Sequence, residues 1–297
     1  MANNARLKEA LECERKAEEC MKTSMLKLKL KPDLDGAAAA MERAAVCYRN
    51  AQEPKKAAGS LLKGAEYYEQ NRSFFHAAKA RESAAMLLRD IKEFDEAVKL
   101  FERAIDGYAE SGSLDTAAMT VEKAADVLKN DDPEKALKIY EKGLSLVQQS
   151  DRAKMASKFL KQITRLRLQE GKYKDALTSI KDEVEKFVEI KETPRIGQLG
   201  IALVLVNLAM GDSVAATKDY GWIVAQCSDF RETEDGRVCE SLIAHYENGD
   251  DEQFQTVLKC GVLRSMDNEY LRLMKTLKAP AGVGNTEDGE EDEDDLR

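Results

Sequence analysis

Apolar side chains recur along most of this chain in steps of three and four. Between Ile91 and Tyr108 they fall at Ile91, Phe94, Ala97, Val98, Phe101, Ala104, Ile105 and Tyr108, one stripe down an α-helix. Within that stripe Ala97, Phe101 and Ala104 form a small–large–small motif. The motif occurs again as Ala57, Leu61, Gly64 and as Ala136, Tyr140, Gly143, with weaker echoes starting at Ala176 and at Ala216. A second landmark keeps the same spacing of about forty residues: Glu42-Arg43-Ala44-Ala45, Glu82-Ser83-Ala84-Ala85 and Glu122-Lys123-Ala124-Ala125. Two independent landmarks at one period mark an internal repeat.

A unit of that length with two helical stripes is a helix–turn–helix. Small residues let two backbones approach, and the large one fills the gap beside them. One such hairpin cannot bury its own stripe, so it stacks on its neighbours. The Ala-x3-Phe-x2-Ala spacing resembles the second helix of a tetratricopeptide repeat, in slightly longer helices. The fold class expected is all-α: a TPR-like α-solenoid of antiparallel helix hairpins, a stiff curved body closed by a C-terminal helical bundle.

The pattern predicts helices over 4–24, 37–50, 54–71, 73–90, 92–111, 114–129, 133–149, 152–170 and 172–190. Pro32 and Asp35-Gly36 mark a restart at Ala37. Pro54 and Pro133 occupy first-turn positions, where a missing donor is not needed. Thr193-Pro194 opens a less regular part with helices near 195–210, 212–226, 234–247, 250–259 and 267–278. Residues 1–192 thus read as the hairpin array and 193–278 as a helical cap. Residues 279–297, Gly-rich and then acidic, read as a disordered tail.

Composition narrows the function. Net charge is −9, but the segment Glu287–Arg297 alone holds eight acids and one base, against totals of 55 and 46. The remaining body is close to neutral, unlike the basic domain of a nucleic-acid binder. The N-terminal stretch MANNARLKEALECERK has no apolar core of a secretory signal. The longest apolar run, Ile201–Met210, is about half the ~20 residues of a membrane-spanning helix. Six cysteines include no CxxC pair, and His76 and His245 have no companion at metal-ligand spacing. Phosphate-binding glycine loops are also missing. No catalytic constellation, metal site, cofactor or small-molecule substrate is expected, and the chain reads as a non-enzymatic binding protein with a cytosolic location.

Three features could bind partners. In Met25–Pro32 apolar and basic residues alternate: Met25, Leu26, Leu28 and Leu30 could dip into lipid while Lys27, Lys29 and Lys31 meet anionic headgroups, or the lysines could simply be solvated. The run Arg152, Lys154, Lys158, Lys161, Arg165 and Arg167 contains four bases at helical steps of four, three and four, Lys154 to Arg165. They form either a solvated face or a docking strip for an acidic rod-like partner. The third is the end, EEDEDDLR, where Leu296 follows an acidic run including Asp294 and Asp295. An apolar side chain in that place looks like a recognition motif steered by charge.

These features, in this order, resemble the soluble NSF attachment proteins (SNAPs) over essentially the whole chain. The segments that carry the resemblance are LKLKPDLDGAA in the 26–38 region, FHAAKA at Phe75–Ala80, DTAAM at Asp115–Met119, DPEKA at Asp132–Ala136 and MDNEY at Met266–Tyr270. They are closest to the gamma subtype, whereas the ending EDEDDLR is similar to the alpha and beta forms. The resemblance implies an adaptor that binds assembled SNARE four-helix bundles and recruits the AAA ATPase NSF, which pulls the bundle apart. It implies that Leu296, with Asp294 and Asp295, stimulates ATP hydrolysis. It places Lys158 and Arg237 among the SNARE-binding bases, joined by the neighbouring Lys154, Lys161 and Arg165, and Glu247 as an NSF contact. Ser113 and Met119 stand where the alpha form has Arg and Lys, which implies weaker SNARE binding. Met25, Leu26, Lys27, Leu28, Lys29 and Leu30 fall on the family's membrane loop but lack a phenylalanine pair, which implies modest peripheral attachment. The competing reading is a TPR-like scaffold for another trafficking or chaperone complex, needing no ATPase.

Overall fold

In a computed structural model the described residues are 2–23, 31–148 and 152–280. They form α1 (Ala2–Met21), α2 (Leu34–Asn50), α3 (Pro54–Gln70), α4 (Phe74–Asp90), α5 (Phe94–Glu110), α6 (Leu114–Leu128), α7 (Pro133–Gln148) and α8 (Ala153–Gln169). There follow α9 (Tyr173–Glu189), α10 (Thr193–Ala209), α11 (Ser213–Gln226), a 3-10 turn at Ser228–Glu232, α12 (Glu234–Glu247), α13 (Asp251–Val257), α14 (Gly261–Arg264) and α15 (Asn268–Met274). Strands are absent among the described residues, and consecutive helices from α1 to α7 pack on one another as antiparallel hairpins. The all-α hairpin array is therefore the fold.

Two compact units result, Met1–Leu166 and Arg167–Arg297, so the division falls inside α8. The sequence pattern had placed a change of character at residue 193. In the structure Thr193 begins α10, with Pro194 in its first turn.

In the first unit the two sequence landmarks lie on the two helices of each hairpin. The Glu-x-Ala-Ala motif belongs to α2, α4 and α6, and its alanine pairs are all buried. The small–large–small motif belongs to α3, α5 and α7, with Ala97, Phe101, Ala104 and Ala136 fully buried. Close approach explains the small residues. A Cβ on Gly143 of α7 would lie 2.7 Å from Val121 of α6, and one on Gly107 of α5 would lie 3.1 Å from Ala78 of α4.

The turns after α2, α3, α4, α5, α8, α9, α10 and α12 share one device. The helix gives way to a single left-handed residue: Gln52, Arg72, Lys92 and Gly112 in the first unit, Gly171, Lys191, Gly211 and Gly249 in the second. A backbone N–H after that residue closes the turn, as Ser113 N donates to Tyr108 O at 2.8 Å and Glu93 N to Leu88 O at 2.9 Å. Glycine adopts this conformation without steric cost; Gln52, Arg72, Lys92 and Lys191 do so against it.

The start of α2 differs from the sequence expectation of Ala37. Asp33 accepts from Gly36 N at 2.9 Å, and helix begins at Leu34. The side chain of Asp33 satisfies a first-turn donor, so Gly36 sits inside the helix and not before it. The stretches Ser228–Glu232 and Gly261–Arg264 are helical too, each too short to show a period in the sequence.

The second unit is built around α10. Its residues Gly200–Leu208 are all buried, and it packs on α9, α11, α12 and α15. This explains the apolar run Ile201–Met210: a helix covered on every side is apolar on every side. Its one polar interruption is satisfied internally. Asn207 Nδ2 donates to Leu203 O at 3.0 Å and to Asp219 Oδ2 at 2.9 Å, while Lys181 reaches Asp219 Oδ1 at 2.8 Å. Among the described residues no helix is long and apolar enough to cross a membrane.

Candidate functional site

Helix α8 turns its core side inward through Ala156, Phe159, Leu160 and Ile163, all buried. The opposite side carries the four bases that the spacing grouped: Lys154, Lys158, Lys161 and Arg165 are exposed on one face. Arg152 and Arg167, from the same run, are not part of that face. Arg152 Nε donates to Asp115 Oδ1 at 2.7 Å, and Arg167 donates to Asp175 O at 3.0 Å and to Ser179 Oγ at 2.5 Å.

The strip is not uniformly positive. Lys158 Nζ lies 2.6 Å from Glu122 Oε1 on α6, with 60% of the lysine side chain still exposed. The preceding hairpin has the same contact, Lys123 of α6 to Glu82 of α4 at 2.5 Å. Glu82 also accepts from the Tyr108 hydroxyl at 2.6 Å, and burial together with that acceptor pushes the phenol well above its usual pKa. Glu82 and Glu122 of the Glu-x-Ala-Ala landmark thus each tie one hairpin to the next. On the other helices of the hairpins the same linkage is made by Lys55 to Glu93 at 2.6 Å and by Lys142 to Asp106 at 2.7 Å. These glutamates were visible in the sequence as a repeat, but their partners lie a whole repeat away.

Tyr140 lies beneath the α8 face, its ring centroid 6.2 Å from that of Phe159. Burial first, then Asp126 and Glu122, push its hydroxyl up to about 12, with the Arg165 guanidinium opposing. On α6, Met119 is 58% exposed, and Ser113 is the residue before the first turn. These are the two positions where the resemblance had called for bases, and Met119 presents an uncharged surface there.

The second unit holds the other described candidates. Arg237 and Glu247 are both exposed on α12, and neither forms an ion pair with another described residue. The first turn of this helix is fixed by Thr233, whose hydroxyl accepts from Gly236 N at 3.1 Å. Met25, Leu26, Lys27, Leu28, Lys29 and Leu30, and Asp294, Asp295 and Leu296, lie outside the described residues. His76 pairs with Ser73 at 2.9 Å and stacks near Tyr68, and His245 lies 3.8 Å from Asp250, so both have structural partners. Among the described residues no three His, Cys, Asp or Glu side chains are grouped to hold a metal ion.

This surface is an exposed base row on a stack of helix hairpins. The family model described as "Soluble NSF attachment protein, SNAP" matches residues 8–260. The chain belongs to the SNAP family. Among curated SNAPs, it is 25% identical over 247 residues to the gamma-soluble NSF attachment protein of Dictyostelium discoideum, covering 83% of this chain and 76% of that one. It is 26% identical over 269 residues to the protein of the same name from Arabidopsis thaliana, covering 89% and 91%. Among solved structures, BtubC from P. vanneervenii aligns with a TM-score of 0.39 and 16% identity over 77% of this chain and 94% of the other. The fold of this SNAP is accordingly taken from its own helices.

Proposed function

We propose that this SNAP is a non-enzymatic adaptor in vesicle trafficking, which binds SNARE complexes and recruits and stimulates an NSF-type AAA ATPase for their disassembly. Family membership over residues 8–260 is the observation that carries this reading. The exposed row Lys154, Lys158, Lys161 and Arg165 supplies the surface chemistry, because an acidic helical bundle can meet several bases along one helix. Arg237 is assigned to the same partner, and Glu247 to the ATPase. Leu296, with Asp294 and Asp295, is assigned to stimulation of ATP hydrolysis. Residues Met25–Leu30 are assigned to weak peripheral attachment on the cytosolic face of membranes.

Exposed charge pairs are screened by salt, so SNARE capture weakens as ionic strength rises. Several copies around one bundle hold the ATPase by avidity where one copy binds it poorly. The test is Leu296→Ala in a full-length protein. SNARE capture stays at the wild-type level, and stimulated ATP hydrolysis falls. Unchanged hydrolysis rejects the assignment of the tail.

A further inference from the structure

The first helix of the array carries chemistry that the base row does not use. Helix α1 lies antiparallel to α2: Arg6 Nη1 donates to Asn50 O at 2.7 Å towards one end, and Asp33 N donates to Cys20 O at 3.0 Å towards the other. Residues 13 and 47 fall between these two ties. Ala10 of α1 and Ala44 of α2 are fully buried in one cluster, and the side chains of Cys13 and Cys47 pack against that cluster. The small residues let the two helices approach closely, as a bond between side chains on facing helices requires.

The two cysteines also meet each other. The Cys13 thiol and the Glu9 carboxylate both lie within side-chain hydrogen-bonding range of the Cys47 thiol. Burial first, then Glu9 and Cys13, push that thiol above its usual pKa. Both cysteines are free and half-buried, which leaves the pair open to a small reagent, whereas Cys239 is fully buried. Cys20, two turns further along α1, lies by the start of α2 and not by Cys47.

We propose that Cys13 and Cys47 are a thiol pair that a small disulfide oxidises, bonding α1 to α2. The Cys13 thiolate attacks one sulfur of a small disulfide such as oxidised glutathione, forming a mixed disulfide and releasing one small thiolate. Cys47 gives its proton to Glu9 and attacks the Cys13 sulfur, forming the Cys13–Cys47 bond and releasing the second small thiolate. Two protein thiols are oxidised, one small disulfide is reduced, and the two protons end on the released thiols. Burial and Glu9 keep Cys47 protonated, so it reacts second and not first. The bond pins α1, which is otherwise held by its packing on α2 and by Ser60 of α3, whose hydroxyl donates to Glu14 at 3.3 Å. An end helix held on one side opens locally more readily than the helices stacked behind it. In a reducing compartment the pair stays as thiols and closes only under oxidation. None of this depends on the adaptor reading.

The test equilibrates the full-length protein with oxidised and reduced glutathione at a series of ratios, caps the remaining thiols and maps disulfides in the monomer fraction by peptide mass spectrometry. As the oxidised share rises, peptides joined through Cys13 and Cys47 become the predominant intramolecular link, several-fold above any link from Cys20. Cys13→Ser and Cys47→Ser each abolish it and leave the remaining cysteine of the pair as a thiol or a glutathione adduct. In the oxidised protein amide hydrogen exchange of α1 slows several-fold, and dithiothreitol reverses the change. Cys13→Ser shows no such difference between the two conditions. Oxidation that leaves Cys13 and Cys47 as thiols or as two separate glutathione adducts, or that joins them only between two molecules, overturns the proposal. Equal exchange of α1 before and after the link forms overturns it too.

Discussion

Gly64 and Gly143 occupy the same place in the repeat, yet the structure sets their substitutions apart. Glycine costs a helix interior about 0.5–1 kcal/mol relative to alanine. At Gly64 an added methyl meets Ala38 O and Met41 Cβ at 3.5 Å, ordinary contact. Gly64→Ala should therefore recover the helix term and stabilise the first unit by up to about 1 kcal/mol. At Gly143 the methyl would fall 2.7 and 3.0 Å from the two Val121 methyls and 3.1 Å from the Phe159 ring. Val121 and Phe159 are fully buried, and a β-branched side chain in a helix has essentially one rotamer in which to yield. Overpacking of this kind costs about 1–3 kcal/mol, so after the helix gain Gly143→Ala should be destabilised by up to about 2 kcal/mol. For a unit of this size each kcal/mol corresponds to about 2–4 °C in Tm. Thermal unfolding by circular dichroism, with hydrogen exchange read in peptides from α3, α6 and α7, measures the contrast. Equal stability of the two alanine variants would refute the close approach of α7 to α6 on which the hairpin packing is argued.

Other consequences follow from particular contacts. Glu122→Gln removes the carboxylate paired with Lys158, so SNARE capture should strengthen and become more salt-dependent, as pull-down over a salt series would read. Lys158→Glu puts an acid beside Glu122 and should weaken capture; equal recovery at moderate salt would mean that this face is merely solvated. Gly112→Ala places a methyl at a positive φ of 75° and should cost about 1–2 kcal/mol in the melt, whereas Lys92→Gly, at φ 65°, should be neutral or stabilising. Asp219→Ala leaves the buried Asn207 amide with one acceptor fewer and should destabilise the second unit by about 1–3 kcal/mol in chemical denaturation.

Much of this architecture could be read before any coordinates. The two landmarks at one period located both helices of each hairpin, because a repeat must keep small residues wherever backbones approach. The spacing of Lys154, Lys158, Lys161 and Arg165 gave a common exposed face, since helical periodicity alone decides it. Other features were hidden for physical reasons. The partner of Lys158 lies on α6, a whole repeat away, and nothing local in the sequence announces it. Arg152 and Arg167 have the composition of the strip but are drawn to Asp115 and to α9. The start of α2 depends on a cap by Asp33 that an Asp35-Gly36 turn signal outweighed.

The most direct measurement is a reconstituted SNARE-disassembly reaction with NSF and ATP, run with and without this protein. The adaptor account predicts disassembly that depends on the added protein, falls with rising salt and drops when Leu296 is replaced by alanine. Stable binding to SNARE complexes with no disassembly above the NSF-only background would contradict it.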